Sequence, residues 1–180
     1  MNDFFIFISS SILFSSLSIL PCNAADIETI ANFIGERLAH MQSVALFKEA
    51  NHIPIEDLIQ EGRVIAQSLE RAQALGLDQG TVKSFIDIQM KAAKAVQYRY
   101  RADWLFKQGK ISSPTSLDWD RQQIAKLGNE LLELMATRLN QGITIDAADK
   151  KFFLHSLNAY NLQHDEKIQI FQALLKIKLA

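Results

Sequence analysis

The stretch IETIANFIGERLAHMQSVALFK, residues 27–48, decides the fold. Ile27, Ile30, Ile34, Met41, Val44 and Ala45 recur at helical steps, so one face of an α-helix gathers them while a strand would scatter them over both faces. Arg37 and Lys48 fall on that same face, eleven residues apart, close to about three whole turns. Charges on an apolar stripe are the informative exception, because burying an unpaired charge is costly.

The helical period continues along the rest of the chain. Pro and Gly are scarce and act as punctuation at Pro54, Gly76, Gly80, Gly109, Pro114 and Gly142. The pattern predicts helices over 26–50, 55–75, 78–107, 117–140, 145–158 and 164–178. Asp78 and Ser116 are the expected N-caps, and Gly76 and Gly142 the expected stops. With no repeat and no linker, residues 25–180 read as an all-α, single-domain bundle of about six helices.

Ahead of that domain stand an apolar, serine-interrupted run from Phe4 to Leu20 and then Pro21-Cys22-Asn23-Ala24. This reads as a signal peptide over residues 1–24, cut after Ala24, and therefore as export to the periplasm or the medium. The competing reading is a retained N-terminal anchor, favoured by the lack of Lys or Arg before the run. Removal of residues 1–24 takes away Asp3 and the single cysteine, leaving 156 residues with 19 basic and 19 acidic side chains. Formal neutrality argues against nucleic acid and, after cleavage, against membranes as partners. Without cysteine the domain has no disulfide, and its stability must come from packing.

Further polar residues sit among apolar ones. Arg121 falls in the stripe formed by Leu117, Ile124, Leu131 and Met135. Gln97 sits at the edge of the face formed by Val82, Phe85, Ala93, Val96 and Tyr100, where Ala92, Ala93 and Ala95 leave space. Asp57 and Glu61 are too few to balance Arg37, Lys48 and Arg121. The sum points to a cavity that takes a small anionic ligand through arginine forks. Structural ion pairs, or long side chains snorkelling from the rim of the core, are the alternative. His40, His52, His155 and His164 lack metal-ligand spacing, and no phosphate loop or nucleophile elbow is present, so no cofactor or metal is expected. Gln89, central on its stripe, reads as a hydrogen-bonded core amide, with a role near the site as the alternative.

In order, Glu36-Arg37-Leu38, Val44 to Lys48, Pro54 to Asp57, Glu61, Gly76-Leu77-Asp78, Phe85 to Met90, Lys94 to Tyr98, Asp103-Trp104, Leu117 and Arg121 resemble the secreted (gamma) subclass of the all-helical AroQ-type chorismate mutases. The resemblance covers most of residues 33–130. It implies an isomerase that rearranges chorismate to prephenate, in a site built within one subunit, and it allows for a homodimer. By family position Arg37 and Arg121 would grip carboxylates. Lys48 and Gln97 would donate to the ether oxygen, Glu61 would accept from the substrate hydroxyl, and Asp57 would orient its neighbours. Two positions depart from the family. Gln60 stands where an active-site arginine is usual, with Arg63 one turn on as a stand-in on a face read as solvated, and Ala93 replaces a common hydroxyl residue. A dicarboxylate-binding protein without catalysis, or an exported bundle with a purely structural or partner-binding role, are the other functions this sequence accommodates.

Overall fold

The computed structural model describes residues 22–106 and 114–180. The expected signal peptide, residues 1–24, lies outside the described residues except at its last three positions. Seven α-helices and one short 3-10 turn make up the described chain: α1 (Cys22–Ala39), α2 (Met41–Ala50), α3 (Leu58–Ala74), α4 (Gln79–Phe106), α5 (Asp118–Asn140), α6 (Lys150–Ser156) and α7 (His164–Leu174). With α1 and α2 counted as one broken rod, the number is the six expected.

The break is the first correction. The apolar period runs on through 27–48, yet the helix interrupts at His40. Asp120, at the start of α5 and only 5 % exposed, takes up both polar side chains flanking the interruption. His40 Nδ1 lies 2.8 Å from Asp120 Oδ1, and Ser43 Oγ donates to Asp120 Oδ2 over 2.8 Å. The expected stripe is nevertheless buried throughout: Ile27, Ile30, Ile34, Met41, Val44 and Ala45 all belong to the core.

Glycine ends two helices as expected, and for a backbone reason. Gly76 and Gly142 have φ of 72° and 75°, the left-handed region that a side chain disfavours. Each closes a Schellman turn. Leu77 N donates to Ala72 O and Gly76 N to Gln73 O; Ile143 N donates to Arg138 O and Gly142 N to Leu139 O. Asp78 caps α4 by accepting from Thr81 N at 2.8 Å. At α5 the cap is displaced by one residue. Leu117 occupies the N-cap, and Ser116 Oγ accepts from Asp118 N instead.

Two other ends differ from expectation. The predicted helix 145–158 is a 3-10 turn over 147–149 followed by α6, because Asp146 and Asp149 close a reciprocal capping box on each other's backbone. The predicted helix 164–178 stops at Leu174. Beyond it the backbone is spent elsewhere: Leu179 bridges Leu77, Asp78 N donates to Lys178 O and Ala180 N to Gly76 O. The last residues are thereby tied to the α3–α4 turn.

α4 is the central strut, about 42 Å long at helical rise. It packs against α2 and α3 on one side and α7 on another, while α1 lies on α5 and α6. Gly35 lets α1 approach the α6–α7 connection, since a Cβ there would stand 2.8 Å from the backbone oxygen of Asn158. Arg138, 1 % exposed near the end of α5, pairs with Asp26 at 2.8 Å. Of the seventeen residues of α3 only Ala72 is fully buried. That helix forms one wall of a hollow rather than part of the packed centre.

Candidate active site

The hollow has a volume of about 790 Å³ and lies between α1, α2, α3, α4 and α5 of the single chain. Arg37, Lys48, Asp57, Gln60, Glu61, Gln97 and Arg121 all line it. The seven positions singled out from the sequence are thus brought to one place. Their burial differs from expectation in two respects. Gln97, expected at an edge, is 5 % exposed. Arg121, expected on an inward stripe, is an exposed residue at the rim. It stands four residues after Leu117 on the same helix face, and its long side chain carries the charge out to solvent. Arg63 is also exposed and also lines the cavity.

Local structure explains how the side chains are held. Asp57 is the N-cap of α3: its carboxylate accepts from Gln60 N at 3.0 Å, and its own N–H donates to Glu61 Oε1 at 3.3 Å. The other oxygen of Glu61 meets Lys94 Nζ at 2.9 Å. Lys48, near the end of α2 and 7 % exposed, donates to the carbonyl of Ile55 over 2.5 Å. Burial lowers the Lys48 ammonium below the usual lysine range; Asp57 and Glu61 oppose this, and Arg121 and Arg101 add to it. Arg37 donates from Nη1 to Gln89 Oε1, and its guanidinium lies along α5, where a Cβ at Gly128 would come within 3.8 Å of Cζ. Burial pushes the Arg37 guanidinium down to about 10.

Six cations line the cavity (Arg37, Lys48, Arg63, Arg71, Lys94 and Arg121) against the carboxylates Asp57, Glu61 and Glu70. Lys94 is paired with Glu61, and Arg71 with Glu133. Arg37, Lys48, Arg63 and Arg121 form no ion pair among the described residues. Gln97 donates from Nε2 to Ala93 O at 3.3 Å and lies 3.4 Å from Met41 Sδ, a weak acceptor. Its second N–H is therefore held loosely enough to turn to a better oxygen.

Sequence reasoning missed Lys94 and Arg71 as cavity residues and put Gln89 in the core first, with a place near the site only as the alternative. For Lys94 a signal existed: it is three residues before Gln97 on the same helical face. For Arg71 none did, since it lies four turns along α3 from the cap.

A helical bundle enclosing a cation-rich hollow within one chain defines a protein built to receive a small anionic ligand. Residues 25–98 match the family profile of chorismate mutase type II. The chain is 39 % identical over 149 residues to the secreted chorismate mutase of Yersinia pestis, covering 83 % of this chain and 80 % of that protein. The solved structure of a Yersinia pestis secreted chorismate mutase superposes with a TM-score of 0.76 at 38 % identity, over 84 % of this chain and 97 % of that one. A monofunctional chorismate mutase of Enterobacter agglomerans is 34 % identical over 173 residues, 96 % of this chain and 95 % of that protein. At 23 % identity, the chorismate mutase structure from Burkholderia thailandensis shares the fold, with a TM-score of 0.70. The chain belongs to the type II chorismate mutases, a family of isomerases.

Proposed function

We propose that the protein is an exported enzyme that converts chorismate to prephenate in this cavity. The observation that carries the reading is the convergence of Arg37, Lys48 and Arg121 on one hollow without a carboxylate partner of their own among the described residues. A dianionic substrate supplies the missing charge. The rearrangement is intramolecular: an ether C–O bond breaks as a C–C bond forms, and no proton or nucleophile is required.

Catalysis then consists of two physical effects. Arg37 and Arg121 hold the two carboxylates so that the extended diacid folds into its compact reactive shape. Lys48 and Gln97 donate to the ether oxygen as negative charge grows there, from positions set before the reaction begins. Glu61, braced by Lys94, accepts from the substrate hydroxyl, and Asp57 fixes the first turn of α3. Gln60 contributes a neutral contact where the family uses arginine.

The relatives called secreted support export; the apolar run from Phe4 to Leu20 followed by small residues is what supports a signal peptide cut after Ala24. Mass spectrometry of exported protein should give a chain starting at Ala25; full-length chain retained in the cytoplasm would remove the compartment from the reading. A homodimer is part of the same proposal, to be checked by light scattering. The decisive experiment follows loss of chorismate absorbance with the purified mature chain. Turnover supports the enzyme. Binding of a bicyclic diacid without turnover would leave a binding protein, and neither would leave a structural bundle.

A further inference from the structure

Gln89 lies in the middle of α4, 5 % exposed, and lines the cavity beside Arg37. A guanidinium has donors only, so the glutamine must turn its oxygen to Arg37, as it does. Its nitrogen then faces away from that bond. Gln89 Nε2 is shut off from solvent and has no hydrogen-bond partner among the described residues, and the same holds for Arg37 Nε. Nearly every buried polar atom of a core is paired, so two adjacent buried donors without an acceptor among the described residues call for one. What the two donors have in common is the acceptor they would accept: an anionic group with more than one oxygen, entering beside Arg37.

Resting on the proposed reaction, we infer that Gln89 is part of the carboxylate clamp: its oxygen fixes the Arg37 guanidinium and its NH₂ donates to the carboxylate that Arg37 holds. The arrangement divides the work between charge and shape. Arg37 supplies the attraction, and Gln89 sets the plane in which the fork lies, with Gly128 leaving α5 bare behind it. The contact forms with bound substrate and persists through the rearrangement, because the carboxylates carry their charge throughout. It therefore acts on KM more than on kcat.

The test compares wild type, Gln89→Met and Gln89→Glu, measuring steady-state kinetics with chorismate, calorimetric affinity for a bicyclic dicarboxylate mimic of the compact substrate, and thermal melting. Gln89→Met keeps length and burial but removes both hydrogen bonds. KM and the diacid Kd should rise about tenfold to a hundredfold, the usual loss for a bond to a charged group, with a smaller change in kcat. Gln89→Glu places a carboxylate on Arg37 that competes with the substrate, so KM should rise at least as far at neutral pH. It should fall back toward wild type, as a ratio at each pH, when acid restores a protonated donor. Affinities within twofold of wild type in both variants, or a lower melting temperature with KM unmoved, would overturn the assignment and leave Gln89 a core amide. If wild type binds the diacid without turning chorismate over, the proposed reaction fails while the affinity comparison still decides Gln89. If wild type binds no diacid at all, both fail.

Discussion

Lys48 is a cation held where burial works against its charge, with Asp57 and Glu61 close enough to offset part of the penalty. Aimed at a developing oxyanion, it should matter far more to the reaction than to the fold. Lys48→Ala is expected to slow turnover about a hundredfold to a thousandfold, the usual worth of one preorganised donor, while circular dichroism still reports a folded helical protein. Gln97 separates itself from a carboxyl by pH. An amide donates at every pH and a carboxyl only when protonated, so Gln97→Glu should move the activity optimum into the acid range. Identical profiles would remove Gln97 from the reacting oxygen. At position 60 the amide lacks both charge and fork. Gln60→Arg should raise kcat/KM about tenfold to a hundredfold; no gain there together with no loss in Arg63→Ala would mean that the site uses no charge at this place. The polar residues on apolar stripes were legible because each violated a period that its neighbours kept. Arg121 was legible as a member of the cavity but not as an exposed one, since periodicity assigns a face and not a depth. The partnership of Gln89 with Arg37 was not legible at all: the two are 52 residues apart, and only packing brings them together.

Helix positions followed from the spacing of apolar side chains, and two of the ends from glycines that accept positive φ. The ends that escaped prediction are those where a side chain or another strand of backbone competes for the helix's hydrogen bonds. Asp120 gathers His40 and Ser43 across a gap of about eighty residues, and the α3–α4 turn claims the tail beyond Leu174. Arg138 belongs with these: on helical spacing alone it is an ordinary last-turn base, and its burial depends on Asp26 at the far end of the domain. Gly35 supplies the prediction at this scale. A methyl group there meets the Asn158 carbonyl at 2.8 Å, and backbone on both sides leaves little to yield. Gly35→Ala should cost about 1–3 kcal/mol despite alanine's better helix propensity, read from denaturant midpoints. A variant as stable as wild type would mean that the α6–α7 connection shifts freely.

Across the whole molecule, the cavity concentrates positive charge in a domain whose formal charge is close to zero. Arg37 titrates near 10 and Lys48 below its ordinary 10.5, so both lose protons earlier than they would on an unfolded chain. The signs for stability and activity oppose each other. The unfolded state binds more protons in this window, so raising the pH relieves the cost of burying these charges and their contribution to stability rises. Anion binding needs the charges, so activity should fall. A profile of kcat/KM against pH is expected to decline on the alkaline side before the ordinary lysine range is reached. A flat profile through pH 10 would show that neither group must be charged.

The wall formed by α3 has little buried surface of its own, and part of its anchorage is the bridge of Leu77 to Leu179 at the α3–α4 turn, flanked by the bonds from Asp78 N to Lys178 O and from Ala180 N to Gly76 O. Residues 178–180 thus serve as masonry for the cavity: whatever loosens their pairing with residues 76–78 loosens the α3 wall as well.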